Sequence, residues 1–361
     1  MICLINDSLS NSGIGNYSFN LFSEFKKMKK PVEMIFLDYF DKMERDDINI
    51  IRTPLKLPFL RKTLNWYFYS FRQIPKGHDL YHMTCHYHAL FSKHLHPSII
   101  TYADILPFVV EKNYPSLVNY FFKKSMEMGK HADKIIAMSN NTKKDIIRVL
   151  NIPEEKIEVI YNGIDHSTFK PRNKEECRSR LLLPEDSLII LNVGSEEPRK
   201  NISSLLHTFN EICKKRKNVI LIRIGEMSKE SRELIKNLGI GNKIRYFNSL
   251  SKEVLARYYS AADVFVMPSH YEGFGFPALE AMACGCPIVA SSTSSLGEIV
   301  KDAGLLVDPN NVKNIINQME TMLNEESLRI KYRKMGIERA KIFTWKNCAD
   351  ETWSVYKEIL G

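Results

Sequence analysis

The amino-acid sequence predicts an α/β protein built from two doubly wound parallel sheets. Three observations carry that expectation. Short apolar runs rich in β-branched residues, of which Val264-Phe265-Val266-Met267 is the clearest, have the composition of strands buried on both faces. Such runs are followed by a polar or glycine-bearing loop and then a helical stretch, and this alternation occurs twice over, once in each half of the chain. Finally, 361 residues are more than one core ordinarily organises, so two domains are expected.

Taken in order, ICLIND reads as a first strand. The following SLSNSGIGNYSFNLFSEFKK reads as a polar loop with Gly13 and Gly15, running into an amphipathic helix that carries Tyr17, Leu21, Phe22 and Phe25. A lone glycine pair serves a tight turn as readily as a phosphate. VEMIFLDYF is a second strand. Residues 55–72 mix Lys56, Arg61, Lys62 and Arg72 with Trp66, Tyr67, Phe68 and other large apolar side chains. That composition suits peripheral contact with an anionic membrane, and equally an ordinary helix packed on its own domain.

The stretch HDLYHMTCHYHALFSKHLHP is dense enough in histidine to raise the question of metal. It lacks the carboxylate of an H-E-x-x-H site, and 79–82 reads as a strand, so no metal is expected. His82, His86 and His88 are instead expected to line a cleft, with one histidine hydrogen-bonding a sugar or a phosphate there. SIITYADILPF, ADKIIAM and KIEVIYNGID add further strands, with Asp104 either a cleft group or a helix cap. The polar HSTFKPRNKEE marks a linker at 166–185 between a first domain, 1–165, and a second, 186–340. A terminal helix at 341–361 carries Phe343, Trp345, Trp353 and Tyr356 at helical intervals.

The second half opens with SLIILNVGSEEPRKNISSLLHTF, a strand, loop and helix in which Asn201 is the expected cap of a helix starting at Ile202. Arg199 and Lys200 stand just before it. Two cations there oppose the helix dipole, which calls for an anion between them. NVILIRIGE brings Gly225 to a strand end, and the loop at 247–250 is placed to meet a nucleobase. In PSHYEGFGFPALEAMACGCPIVAS the strand delivers the chain to a sheet edge, Gly273, Phe274 and Gly275 form a loop, and Pro277 opens a helix that Gly285 and Pro287 end. Loop amides and a helix N-terminus together make an anion site. Glu272 and Glu280 beside it make sense as acceptors for the hydroxyls of a sugar and a ribose attached to that phosphate.

Composition narrows the alternatives. A hydrophobic content of 44% and a charged content of 26% are ordinary for a globular protein. No run approaches the roughly 18 apolar residues of a membrane span and no signal-peptide pattern opens the chain, so a cytoplasmic protein is expected, peripheral on the membrane's inner face if 55–72 binds lipid. Seven scattered cysteines without C-x-x-C pairs argue for reduced thiols. The net charge of +9 attracts polyanions, but no nucleic-acid-binding motif accompanies it.

The pattern E-G-F-G-x-P-x-L-E-A-M-A-x-G-x-P resembles the donor-binding signature of the retaining GT-B glycosyltransferases of family four. Gly13-Ile14-Gly15-Asn16-Tyr17 resembles that family's first glycine loop, which faces the donor's diphosphate, and Pro198-Arg199-Lys200-Asn201 resembles its diphosphate clamp. The resemblance implies two Rossmann-like domains facing a central cleft, with the terminal helix crossing back to the first. It implies transfer of a hexose, mannose favoured, from GDP-mannose or next a UDP-sugar to a glycan or lipid-linked acceptor, without metal or cofactor. Glu272, Arg199, Lys200 and Asp104 would be catalytic, and Gly13, Gly15, Gly225, Gly273, Phe274, Gly275 and Glu280 would bind the donor. Related enzymes carry a His-Asp pair where this chain has Ala103-Asp104. That departure keeps open a non-catalytic sugar-nucleotide-binding or partner subunit.

Overall fold

The computed structural model describes residues 1–9, 12–38, 43–52, 71–110 and 116–361. Two units are formed, one from Met1–Gly163 with Trp345–Gly361, the other from Ile164–Thr344. The expected membrane-contact segment at 55–72 lies, apart from its last two residues, outside the described residues. Among the described residues no helix is long and apolar enough to cross a membrane.

The first unit holds a seven-stranded parallel sheet: β1 (Ile2–Asn6), β2 (Val32–Asp38), β3 (Asn49–Arg52), β4 (Leu80–Met83), β5 (Ser98–Tyr102), β6 (Lys134–Ala137) and β7 (Ile157–Val159), in the order β3-β2-β1-β4-β5-β6-β7. Ile2 lies opposite Val32 on one side and Leu80 on the other, which makes β1 an interior strand. Both faces are covered, and the central strands are therefore continuously buried rather than alternating. After β1 the helix Gly13–Lys27 begins at Ser12, whose hydroxyl accepts from the Gly15 amide. Gly15 is required by space: a β-carbon there would stand 1.9 Å from the Leu9 carbonyl oxygen.

The terminal helix Trp345–Leu360 belongs to this first unit. Phe25 meets Trp353 and Tyr356 at ring distances of 5.7 and 5.5 Å, and Tyr17 meets Trp345 at 6.5 Å. These ring contacts fasten the last helix to the first through buried aromatic surface.

The second unit holds a six-stranded parallel sheet: β8 (Leu188–Val193), β9 (Val219–Ile224), β10 (Ile244–Phe247), β11 (Val264–Met267), β12 (Ile288–Ser291) and β13 (Leu305–Val307), in the order β10-β9-β8-β11-β12-β13. Its helix Ile202–Lys215 buries Leu205, Leu206, Phe209 and Ile212, one stripe at the spacing of a helix face, against Leu221 and Val266.

The units change over at Gly163 and Ile164, and again at Thr344 and Trp345, rather than across 166–185. The expected linker is folded structure in the second unit. Asn173 caps the helix Lys174–Arg180, and buried Arg178 pairs with Asp263 at 2.7 Å while donating to the carbonyls of Ala261 and Glu185. Polarity suggested a linker because these charges find partners that are far away in sequence.

Candidate functional site

Strand order in the second sheet reverses between β8 and β11, and in open parallel sheets such a switch point leaves a crevice at the strands' carboxyl ends. The loops leaving these two strands carry Arg199 and Lys200 on one side and Glu272, Gly273, Phe274 and Gly275 on the other. The loop after β8 passes through a single 3-10 turn, Pro198–Lys200, and reaches Asn201 in the left-handed region at φ 57°. Asn201 does not cap the following helix with its side chain. Its amide donates instead to the carbonyls of Pro268 at 3.0 Å and Pro309 at 2.8 Å, tying the loops that follow β8, β11 and β13 together. The Arg199 carbonyl accepts from the His270 amide at 2.7 Å, a second tie between the first two loops.

The anion called for by Arg199 and Lys200 is a carboxylate of the chain itself. Lys200 Nζ lies 2.7 and 2.8 Å from Glu272 Oε1 and Oε2, and Arg199 Nη1 donates to Glu272 Oε2 at 3.0 Å. Arg199 is further steadied by Glu197 at 2.9 Å and by the Tyr271 carbonyl at 3.1 Å. Glu272 is buried, and a buried carboxylate is tolerable because two cations meet it. Its backbone is held as firmly: the amide donates to Ser294 Oγ at 3.0 Å, and Ser295 Oγ donates to the carbonyls of Glu272 and Phe274, each at 2.9 Å. Both serines open the helix Ser294–Val300 after β12, and sequence reading could not pair them with Glu272 because it lies 22 or 23 positions away.

Gly275 has φ 103° and precedes the helix Phe276–Ala283; a β-carbon there would stand 2.7 Å from Leu296 Cδ2. Glu280 lies one turn into this helix, where its Oε2 accepts from Tyr259 at 3.0 Å. Burial pushes its carboxyl up to about 7, although the residue keeps some exposed surface; the Tyr259 hydroxyl and the Lys252 ammonium pull the other way. Gly225, at φ 150°, donates its amide to the Phe247 carbonyl, and a β-carbon there would stand 2.0 Å from the Gly194 carbonyl oxygen. Beside it a cavity of about 920 Å³ is bounded by Gly194, Ser195, Glu196, Gly225, Asn248 and Leu250.

The first unit corrects the expectation for its histidines. His82 is fully buried, with Nδ1 2.6 Å from the Tyr356 hydroxyl and Nε2 2.7 Å from Thr101 Oγ1. Thr101 in turn meets the Tyr17 hydroxyl at 3.0 Å, so His82 joins β4, β5, the first helix and the terminal helix. Burial lowers its pKa to about 3, and the ring stays neutral. His86 and His88 are buried as well: His86 Nδ1 accepts from the Ala103 amide at 3.3 Å, and His88 stacks on Phe91 at 5.1 Å. All three were expected on a cleft and are found buried, because both faces of β4 are covered and the 3-10 turn after it packs on its own unit. Asp104 Oδ1 accepts from the Leu106 amide at 3.0 Å, a cap-like bond at the start of the turn Leu106–Val109. Gly13 and Gly15 form the first turn of their helix. Among the described residues two groups could hold a metal ion, Cys3 with Glu33 and His78, and Asp7 with Cys85 and His88.

Two doubly wound parallel sheets, the second with Arg199, Lys200 and Glu272 meeting at its switch point, define an α/β protein of two Rossmann-like units. Comparison with known proteins makes the family explicit. Residues 11–168 match the family described as Glycosyltransferase Family 4, and residues 173–341 match Glycosyl transferases group 1. The chain is 36% identical to the O-antigen chain mannosyltransferase B of Escherichia coli over 272 residues, which are 73% of this chain and 71% of that one. It is 28% identical to a D-inositol 3-phosphate glycosyltransferase of Nocardioides sp. over 63% of this chain, but over only 54% of that relative. The fold is shared with sucrose-phosphate synthase from Thermosynechococcus elongatus at a TM-score of 0.80 and 23% identity, covering 99% of this chain and 98% of the other. It is likewise shared with Anabaena HepE in complex with UDP and glucose, at a TM-score of 0.79 and 17% identity, covering 99% of each. The chain belongs to glycosyltransferase family 4 and is a hexosyltransferase.

Proposed function

We propose that the enzyme moves mannose from a nucleoside-diphosphate sugar, GDP-mannose favoured and UDP-sugars next, to a glycan or lipid-linked acceptor, with retention at the anomeric carbon. The observation that carries this reading is the carboxylate of Glu272 gripped by Arg199 and Lys200 at the switch point. A site that holds one oxyanion between two cations offers the same grip to a diphosphate. The relative named as a mannosyltransferase supports the choice of sugar.

In this reading Glu280 accepts from the ribose hydroxyls, and Glu272 moves its hydrogen bonds to the transferred sugar once the cations turn to phosphate. The glycosidic C–O bond breaks toward the diphosphate, whose charge Arg199, Lys200 and the amides near Gly273 and Phe274 take up. The acceptor oxygen bonds to the anomeric carbon on the face the leaving group vacates, and its proton passes to the departing phosphate oxygen. The clamp supplies the charge that a divalent cation would otherwise bring, and turnover should survive chelation.

A panel of sugar nucleotides tests the donor by thermal shift, since a ligand at 100 times its dissociation constant stabilises by about 2.7 kcal/mol. Release of nucleoside diphosphate in the presence of polyprenyl-linked and free glycans tests transfer, and the anomeric coupling of the product tests retention. GDP-mannose without effect in both assays would end the proposal for that donor.

A further inference from the structure

Arg223 heads the large side chains that are fully buried among the described residues, and no expectation from sequence touched it. It sits near the end of β9, between Asn192 of β8 and Tyr246 of β10. Its Nη2 donates to the carbonyls of Gly194 at 2.6 Å and Ser195 at 3.2 Å, and Nη1 donates to the carbonyl of Ile224 at 2.5 Å. Nε stands 3.7 Å from Glu196 Oε1. Glu196 in turn accepts from the Tyr246 hydroxyl at 2.7 Å and the Ser228 amide at 2.9 Å. One guanidinium thus joins the loop after β8 to the end of β9, and through Glu196 to β10 and the loop beyond β9.

An apolar side chain would fill this position without the desolvation cost of a buried cation, and the fork of donors is what an apolar residue lacks. Its effect follows from peptide geometry. In a trans peptide the carbonyl and the following amide point in opposite directions. With the carbonyls of Gly194 and Ser195 turned onto Arg223, the amides of Ser195 and Glu196 are turned away from it. The same three residues bound the cavity of about 920 Å³. A β-carbon at Gly194 would stand 3.9 Å from Lys200 Nζ, so the loop that Arg223 holds also lies beneath the Lys200 ammonium.

We infer that Arg223 is a positioning residue of the donor site, holding 194–196 so that two backbone amides and Lys200 are set for a nucleoside diphosphate. It acts through the loop and touches no reacting atom. The inference rests on reading this cavity as the donor site, and the experiment separates the two.

Affinity for GDP and for UDP is measured by calorimetry on the wild type, Arg223→Lys and Arg223→Met, together with donor KM, acceptor KM and kcat. The expected result is a dissociation constant and donor KM raised tenfold or more in Arg223→Met, an intermediate rise in Arg223→Lys, and acceptor KM unchanged. Wild type that binds neither nucleotide overturns the donor-site reading itself. Wild type that binds, with a cooperatively folded Arg223→Met of equal affinity, overturns the role of Arg223 alone. Where Arg223→Met fails to fold, Arg223→Lys and Tyr246→Phe decide, the latter removing one support of Glu196. Unchanged nucleotide affinity in both then overturns the inference, and a dissociation constant raised threefold or more in either supports it.

Discussion

Lys200 and Glu272 come from loops 72 positions apart and meet with both carboxylate oxygens within 2.8 Å of one ammonium. The ion pair lies where the strand order turns back on itself, so the contact is a product of sheet topology rather than of local sequence. A carboxylate in this position keeps the cations oriented and compensated, and must yield part of its grip to any stronger anion.

Removing the ammonium removes the strongest donor to that anion. Lys200→Ala is expected to lower turnover by ~100-fold or more. Cooperative unfolding should persist, since Arg199 still meets Glu272. Release of nucleoside diphosphate measures the effect, and turnover within threefold of wild type would show that the ammonium is not part of the clamp.

Glu280 makes the free enzyme sensitive to pH near neutrality. Its carboxyl titrates at about 7 in the folded chain against an ordinary 4.5, so the folded state holds the extra proton between those values. Stability is therefore full below about 4.5 and declines as pH rises through 7, by about 3 kcal/mol. Glu280→Gln should flatten that part of the stability profile in chemical denaturation. Donor KM in the wild type should fall as pH rises through 7, because only the carboxylate accepts from both ribose hydroxyls; a donor KM independent of pH from 6 to 8 would count against the ribose contact.

His82 has the opposite sign. Its folded pKa of about 3 lies below the ordinary 6.5, so the unfolded chain binds the extra proton in that window. The stability it contributes is present above 6.5 and lost as pH falls toward 3, by about 5 kcal/mol across the window. His82→Gln should lower stability at pH 7.5 and remove that acid-side slope, while kcat at a permissive temperature stays within threefold of wild type. A large fall in kcat with unchanged stability would restore a role for this histidine in the chemistry.

Asn201 combines a left-handed backbone with two hydrogen bonds to carbonyls of other loops. Asn201→Ala should cost ~2–4 kcal/mol in urea unfolding, from the orphaned acceptors and the unfavourable φ. Asn201→Gly loses the same bonds but accepts the backbone, and should be the milder change by about 1 kcal/mol. Equal costs for the two would mean that φ at this position carries no strain.

Much of the plan was legible in the residues themselves. Val264–Met267 announces a buried strand, Pro277 a helix start, and the glutamates eight positions apart a carboxylate at each end of one loop and helix. The polar stretch 166–185 and the histidines at 82, 86 and 88 were misread for a common reason. Polarity was taken as a sign of solvent, whereas Arg178 and His82 are buried against partners 85 and 274 positions away.

By itself the sequence determined the strand-loop-helix repeats, the two-sheet class and the family, because periodicity, turn residues and an unbroken motif are local properties. Tertiary structure alone decided that Glu272 supplies the anion between Arg199 and Lys200, that Asn201 ties three loops instead of capping a helix, and that Arg223 underlies the pocket. Each of these depends on which strands lie side by side. Adjacency in a parallel sheet is set by crossovers of many residues and the burial of both faces, a balance that no short window of sequence contains.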